Sequence, residues 1–197
     1  MNQPSSQAIR RSIREQRRSL PDRVRQHHSD EICHHIATSS QFRRAKRIAL
    51  YLPNDGEIDL QPLVATAWAA NKSCYLPVLA PFNENRLWFA PLEPGERMVL
   101  NRFGISEPDR NWYQMVKLWS IDLLLMPLVA FDSSGHRMGM GGGFYDRSFA
   151  YLNLRKQWRK PHLLGTGFEI QRVDQLPHQP WDIPLDSVVT ERGIWSL

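Results

Sequence analysis

Cysteine is scarce in this chain of 197 residues, which contains only Cys33 and Cys74. The two are isolated, and neither has the C-x-x-C partner that a redox pair or a zinc site uses. This spacing indicates neither a zinc site nor a disulfide framework. We therefore expect both thiols to be buried and chemically inert.

Long apolar runs are also missing. No stretch approaches the roughly 18 residues that a membrane-spanning helix requires, and the Arg-rich N-terminus lacks the apolar region of a signal peptide. We therefore predict a cytoplasmic protein with no membrane partner. The sequence contains no internal repeat or low-complexity segment. Its 197 residues, of which 42% are hydrophobic, fit one domain spanning residues 1–197.

Positive charge is concentrated at the N-terminus. Residues 1–47 hold eleven Lys and Arg against four Asp and Glu, a net charge of +7, which leaves −2 for the remainder of a chain with a total of +5. Ile9 and Ile13 share one face of a predicted helix over residues 7–20, and a second helix continues to Ala37. These basic helices, within residues 6–38, have three possible roles: binding nucleic acid, presenting arginines to a nucleotide, or forming a solvated surface.

Beyond the N-terminus, short apolar segments alternate with helical patterns. The predicted strands cover residues 48–53, 73–79, 86–92, 121–129, 162–168 and 187–191. The predicted helices cover residues 60–70, 144–158 and 169–176, and a long ordered loop is expected over residues 93–113. Because residues 121–129 have the pattern of a strand buried on both faces, we predict a three-layer α/β domain with a mostly parallel central sheet and Rossmann-like topology.

The most distinctive segment covers residues 135–147 and has the sequence GHRMGMGGGFYDR. Five glycines within nine residues allow positive φ angles and a close approach of the backbone to a ligand, which is typical of a phosphate-binding loop. Arg137 adds a cation suited to phosphate, and Asp146 adds a carboxylate suited to Mg²⁺. The alternative is a tight strand-to-helix connection in which the glycines serve only the turn. The spacing fits neither a Rossmann dinucleotide motif nor a Walker P-loop.

Glu57 follows the predicted strand 48–53 and a turn over residues 54–56. Ligands of open α/β sheets bind beyond the carboxyl ends of the strands, so Glu57 is a candidate site carboxylate. The alternative is an acid that stabilises the start of the next helix. Phe103 is a candidate to stack on a planar ring, or else an anchor packed against the protein.

The glycine-rich segment resembles the signature of the 5-formyltetrahydrofolate cyclo-ligase family, G-x-R-[LM]-G-x-G-x-G-[FY]-Y-D-x. The resemblance extends to the Arg-rich first helix, to residues 52–57 and to residues 181–186, so it covers nearly the whole chain. It implies that Arg10 contacts the ATP phosphates, with Arg14 a weaker candidate. It also implies that Leu52 and Glu57 contact the folate, and that Asp182 is a second metal ligand beside Asp146.

The resulting predictions for the site fall into four groups. The predicted catalytic residues are Arg137 and Tyr145. ATP is expected to contact Arg10, Arg137, Met138, Gly139, Met140, Gly141, Gly142, Gly143, Phe144 and Tyr145. The folate substrate is expected to contact Leu52, Glu57, Phe103, Met140 and Phe144. The predicted ligands of Mg²⁺ are Asp146 and Asp182.

The resemblance implies ATP-dependent cyclisation of 5-formyltetrahydrofolate to 5,10-methenyltetrahydrofolate, with Mg²⁺ as cofactor and release of ADP and phosphate. The expected partners are ATP and the folate, with or without a polyglutamate tail. No nucleic acid is expected, and the protein is predicted to be a monomer. Two alternatives stay open: a phosphosugar or CoA-type enzyme on a similar fold, and a nucleic-acid-binding protein that uses the basic helices.

Overall fold

Two long helices precede the first strand in the computed structural model, which describes residues 5–80, 85–154, 160–179 and 181–197. The α-helices are α1 (Ser6–Ser19), α2 (Asp22–Thr38), α3 (Ser40–Arg44), α4 (Gln61–Ala69) and α5 (Phe144–Phe149). Short 3-10 helices cover Trp112–Gln114, Leu118–Ser120, Ala150–Leu154 and Glu169–Gln171. Both predicted N-terminal helices are confirmed, and no helix in the described ranges is long and apolar enough to span a membrane.

The strands form one large sheet and two small hairpins. The large sheet contains β1 (Arg47–Ala49), β2 (Ser73–Leu79), β3 (Leu87–Leu92), β6 (Leu123–Pro127), β9 (His162–Thr166), β10 (Ser187–Thr190) and β11 (Gly193–Ser196). One hairpin pairs β4 (Met98–Leu100) with β5 (Ser106–Pro108), and the other pairs β7 (Ala130–Phe131) with β8 (Arg137–Met138). All six predicted strands are present, although most are shorter than predicted.

Five parallel strands form the centre of the large sheet in the order β10-β9-β6-β1-β2, and antiparallel β11 and β3 form its edges. Numbered along the chain, the parallel strands have the doubly wound order 2-1-3-4-5. The winding direction reverses between β1 and β6, which opens a crevice beyond the carboxyl ends of these two strands. The predicted α/β fold with a mostly parallel sheet is therefore confirmed.

The central strand β6 has a core on each of its faces. Leu123 and Leu125 belong to the cluster that includes residues of α2 and α4. Leu124 and Met126 belong to the opposite cluster, with Phe149 of α5. Because successive strand residues point to opposite faces, a doubly covered strand needs an unbroken apolar run. This is why the central strand is predictable from sequence.

The predicted helix 144–158 is regular only over α5. A 3-10 helix, Ala150–Leu154, follows, and residues 155–159 lie outside the described ranges. Phe149 and Leu152 are both buried in the same core cluster. A spacing of three residues matches the turn of a 3-10 helix, so the tighter turn places both side chains on the core face.

The predicted helix over residues 169–176 is wrong beyond a single 3-10 turn. Arg172 forms a bridge with Phe131, and the Val173 N–H donates to the Phe131 carbonyl at 2.9 Å. These backbone groups therefore pair with β7 rather than with their own segment. The spacing of apolar residues in this segment is typical of a helix, but its backbone hydrogen-bond partners lie some forty residues earlier in the chain.

The predicted loop over residues 93–113 contains the β4–β5 hairpin. The Asn101 side-chain oxygen accepts from the N–H groups of Phe103 and Ile105 at 2.9 and 3.2 Å, while its amide donates to Glu107 at 3.1 Å. Gly104 has a φ of +71°. The turn is therefore organised by one asparagine and one glycine, and its strands are too short to give a visible alternation.

Both cysteines are buried and free, as predicted. Burial raises the pKa of Cys33 to about 12 and that of Cys74 to about 11. Because the thiolate is the reactive form, neither side chain is a nucleophile near neutral pH.

Candidate active site

The crevice between β1 and β6 contains the turn that follows β1. Asp55 and Gly56 have φ angles of +53° and +76°. The Glu57 side chain, which follows this turn, points inward and is only 12% exposed. The Glu57 carboxylate accepts from the Asn54 N–H at 3.1 Å. The acid at the helix start is instead Asp59, which accepts from the Gln61 N–H at 2.9 Å. Glu57 therefore does not serve as a helix-start acid.

The Glu57 carboxyl is buried near two cations, Arg17 and Arg14, and one acid, Asp55. Burial raises its pKa, and Arg17, whose Nη1 lies 3.9 Å from Oε1, opposes the rise, which leaves the pKa at about 7. Tyr51 and Tyr145 interact electrostatically with the same carboxyl, and burial raises the pKa of both phenols. The Tyr51 hydroxyl is hydrogen-bonded to Thr166 at 2.8 Å. The crevice thus holds a carboxyl that titrates near neutral pH beside two neutral phenols.

Arginines of α1 converge on Asp55 in this crevice. Arg14 donates to the Asp55 carboxylate at 2.7 Å, Arg17 donates at 3.0 Å, and Arg18 forms a further ion pair. Burial raises the pKa of Asp55, but the hydrogen bonds from Arg14 and Arg18 outweigh burial, so the pKa is lowered overall. Arg10 lies elsewhere: its Nε donates to the Gly139 carbonyl at 2.9 Å.

The glycine loop, defined here as residues 139–143, connects β8 to α5. It is shorter than predicted, because Arg137 and Met138 belong to a strand. Gly141 and Gly143 have φ angles of +99° and +63°, so these two positions favour glycine through backbone conformation.

Side chains surrounding the loop impose a further restriction. A Cβ at Gly142 would lie 2.9 Å from the Phe144 ring, so a side chain at this position would require the ring to move. Arg147 donates to the Gly142 carbonyl at 2.5 Å and to the Asn85 carbonyl at 2.7 Å. Together with Arg10 at Gly139, these contacts hold the loop by its carbonyl groups at both ends.

The β7–β8 hairpin delivers Arg137 to the site. Asp132 organises its turn by accepting from the N–H groups of Ser134 and His136 at 2.9 and 3.0 Å. The Arg137 guanidinium is mostly buried, forms an ion pair with Asp146 and donates to the Ile183 carbonyl. The structure therefore places Arg137 beside the start of α5.

The two predicted metal ligands, Asp146 and Asp182, both interact electrostatically with Arg137. Burial lowers its pKa more than Asp146 and Asp182 raise it. The Asp182 carboxylate also accepts from the Gln179 N–H at 2.9 Å. Carboxylate oxygens are suitable donors for Mg²⁺. No group of three or more His, Cys, Asp or Glu that could hold a metal occurs among the described residues, so a cation here would need phosphate or water oxygens as well.

Tyr145 connects the two halves of the site. It interacts electrostatically with Glu57 on the crevice side and with Arg137 on the loop side. The predicted folate carboxylate and the predicted phosphate cation therefore both lie near the phenol of Tyr145, which is partly buried. The sequence motif places Tyr145 next to the loop, but only the fold shows its proximity to Glu57.

Two of the apolar residues predicted for the substrate, Phe103 and Phe144, contact each other next to the glycine loop. Phe103, at the tip of the β4–β5 hairpin, is 57% exposed and meets the Phe144 ring edge-on at 5.8 Å. Met140 is exposed as well, and Leu52 is half-buried. The Met138 side chain packs in a core cluster instead, which leaves only its backbone for contact with ATP.

The sequence predictions missed Arg17, Tyr51, Asp55 and Arg147 as parts of the site. A signal for Arg17 was available, since it continues the four-residue spacing of Ile9 and Ile13 and therefore lies on the buried face of α1. No comparable local signal identifies the others, because their contacts lie far away in the chain or depend on the turn conformation.

The fold and the crevice define a class, the doubly wound α/β proteins that bind ligands where the strand order of the sheet reverses. Within that class, the chain matches the model of the 5-formyltetrahydrofolate cyclo-ligase family over residues 2–191 and therefore belongs to this family.

Similar proteins agree with this assignment. The chain is 39% identical to the 5-formyltetrahydrofolate cyclo-ligase of Escherichia coli K12 over 186 residues, which are 93% of this chain and 99% of that protein. It is also 39% identical to the Haemophilus influenzae enzyme of the same name over 192 residues, covering 96% and 99% of the two chains. The NMR structure of the Aquifex aeolicus 5,10-methenyltetrahydrofolate synthetase superposes with a TM-score of 0.80 at 29% identity, covering 97% of this chain and 92% of that one.

Proposed function

We propose that this protein catalyses the ATP-dependent conversion of 5-formyltetrahydrofolate to 5,10-methenyltetrahydrofolate, with release of ADP and phosphate. Family membership supports the reaction. The single structural observation that supports it is the proximity of Tyr145 to both Glu57 and Arg137, because the reaction needs a folate pocket and a phosphate pocket in contact.

The chemistry requires activation of the formyl oxygen, which is a poor leaving group. In the proposed first step, this oxygen attacks the γ-phosphorus of ATP, a new P–O bond forms, and ADP leaves. The second folate nitrogen then attacks the formyl carbon and loses its proton, and phosphate departs with the former formyl oxygen. No covalent enzyme intermediate is needed, in keeping with two cysteines that are buried with raised pKa values.

Residues of the loop side stabilise charge on the transferring phosphoryl group. Arg137 is the predicted principal cation. The hydrogen bond of Arg10 to the Gly139 carbonyl supports its predicted role as a second cation, which would move to a phosphate oxygen. Because phosphoryl transfer depends mainly on positioning and electrostatic stabilisation, fixed cations and a close backbone suit it.

On the crevice side, the ionised Glu57 carboxylate accepts hydrogen bonds from N–H groups of the pterin ring. Phe103, Met140 and Phe144 supply an apolar wall for the ring, with Leu52 at the end of β1. Tyr145, whose phenol stays protonated, donates a hydrogen bond at the junction of the two substrates.

We propose that Asp146 and Asp182 bind Mg²⁺ together with ATP. Their carboxylates fit a hard cation, and the electrostatic interaction of both with Arg137 supports a position near the proposed phosphate site. When bound, Mg²⁺ neutralises phosphate charge. Asp146 would have to exchange part of its ion pair with Arg137 for the cation.

The nucleic-acid-binding alternative is not favoured, because Arg14, Arg17 and Arg18 are engaged by Asp55 within the protein. Family membership disfavours a phosphosugar or CoA-type enzyme. The cytoplasmic location, the monomeric state, the single domain and the acceptance of polyglutamylated substrates remain predictions.

The direct test mixes the protein with ATP, Mg²⁺ and 5-formyltetrahydrofolate and follows the absorbance of the methenyl product. Folded protein that forms no product would contradict the proposal. To test the mechanism, the formyl oxygen is isotopically labelled, and we expect the label in the released phosphate. Label found in water instead would exclude phosphorylation of the formyl oxygen.

A further inference from the structure

Arg17 is a fully buried arginine on the N-terminal helix, with 1% of its side chain exposed. Its Nε donates to the Asp55 carbonyl at 3.1 Å, and its Nη2 donates to the Asp55 carboxylate at 3.0 Å. Its Nη1 donates to the Leu128 carbonyl at 3.2 Å and lies 3.9 Å from Glu57 Oε1. One guanidinium thus reaches a backbone carbonyl after β1, another after β6, and two carboxylates.

These contacts place Arg17 at the point where the strand order of the sheet reverses. Asp55 and Glu57 follow β1, and Leu128 follows β6, so the guanidinium closes the base of the crevice where ligands of such sheets bind. An arginine does not lose its proton in proteins. A buried permanent charge is tolerated only with well-placed partners, so its acceptors fix its position.

We propose that Arg17 is a positioning residue for folate recognition, which holds the Glu57 side chain in the crevice and favours its charged, hydrogen-bond-accepting form. This inference rests on the proposed function, since it assigns the role of Glu57 toward the pterin. Arg17 itself is covered by its protein partners and acts through Glu57, not through contact with substrate.

Other groups around Glu57 do not replace this interaction. Arg14, also on α1, lowers the pKa of Glu57 less than Arg17 does, and its Nε is bonded to Asp55. Asp55, in the same turn, raises the pKa of Glu57. Tyr51, after β1, and Tyr145, on α5, are neutral phenols. Arg17 is therefore the principal cation that offsets the burial of this carboxyl.

The competing role is purely structural: Arg17 could join α1 to the sheet without any effect on Glu57. The two roles differ in their pH dependence. Loss of a neighbouring cation raises the pKa of a carboxyl, by about 1 to 3 for a close pair. A structural anchor would instead change stability and the binding of both substrates together, with no movement of the folate pH profile.

The experiment measures 5-formyltetrahydrofolate binding by calorimetry without ATP, from about pH 5.5 to about pH 10, a range chosen to span that expected rise. It compares the wild type with Arg17→Met, Arg17→Lys and the control Arg11→Met, an exposed arginine of the same helix. In Arg17→Met we expect binding about tenfold or more weaker at neutral pH, an acidic limb moved to higher pH, and recovery toward wild-type affinity in alkali. Arg17→Lys keeps a cation and should show a smaller movement, and it serves as the test if Arg17→Met does not fold.

Glu57→Gln provides the second half of a double-mutant cycle. If Arg17 acts through Glu57, adding Arg17→Met or Arg17→Lys to Glu57→Gln should weaken folate binding little further. An equal loss in both backgrounds, or an unmoved acidic limb in folded Arg17 variants, would overturn the inference. A wild type that binds no folate and forms no product would overturn the proposed function itself, so the two failures are distinguishable.

Discussion

Replacing Glu57 with Gln should stabilise the ligand-free protein above neutral pH although it weakens folate binding. Burial raises the pKa of this carboxyl from 4.5 to about 7, with Arg17 offsetting only part of the effect. Between these two values the folded protein keeps a proton that the unfolded chain has lost. Stability therefore falls as pH rises through this window, and the loss persists at higher pH.

The magnitude follows from the difference between the two pKa values. At about 1.4 kcal/mol per pKa unit, it corresponds to about 3 kcal/mol of folding free energy. Gln has nearly the same size and carries no titrating proton, so the variant lacks this loss. For a domain of this size, 1 kcal/mol changes Tm by about 2 to 4 °C, which gives an expected difference of roughly 10 °C.

The assay is thermal unfolding followed by circular dichroism at about pH 4 and about pH 8, on either side of the titration window. Wild type and Glu57→Gln should have similar Tm values at the lower pH, and the variant should have the higher Tm at the upper pH. Glu15→Gln, on the exposed face of α1, is the matched control and should show no such divergence. A Glu57→Gln protein that is equally or less stable than wild type at the upper pH would show that burial does not disfavour the carboxylate.

Two further predictions concern the phosphate side. Arg137→Ala should reduce turnover on the order of a hundredfold or more, with folate binding in the absence of ATP retained, because it removes a cation from the transferring phosphate; near-normal turnover, equal to that of the exposed control Arg97→Ala, would remove Arg137 from the site. Asp146→Asn and Asp182→Asn should both raise the Mg²⁺ concentration needed for half-maximal activity, Asp146→Asn more strongly, since an amide oxygen is a weaker ligand for a hard cation. An unchanged Mg²⁺ dependence in both variants would mean that ATP and water alone hold the metal.

The predictable part of the fold comes from features that are local in sequence. Leu123 to Met126 are apolar on both faces of one strand, which predicts its central position, and Pro91 correctly indicates that β3 lies at an edge. The helices α1 and α2 follow from apolar spacing. The glycine-rich segment was recognisable because a long motif concentrates several rare requirements within thirteen residues.

The unpredicted part depends on bonds between distant residues. Asp132 accepts from the N–H groups of its own turn and also from that of Leu176, 44 positions later, so the β7–β8 hairpin depends on a partner that no sequence window contains. Arg17 similarly reaches Leu128 across 111 positions. A charged residue on an amphipathic helix is usually solvated, and only the acceptors supplied by two strand ends make its burial possible.

Two arginines of α1 contact different parts of the candidate site. Arg10 and Arg17 are seven residues apart, which is two helical turns and roughly 10 Å along the axis, on the same face. Arg10 contacts the glycine loop, where phosphate is proposed to bind, and Arg17 contacts Glu57, where the pterin is proposed to bind. Because a helix is stiff over two turns, we propose that α1 sets the separation between the two proposed pockets. In this proposal Arg10 and Arg17 help to align the two substrates, which in-line phosphoryl transfer to a formyl oxygen requires.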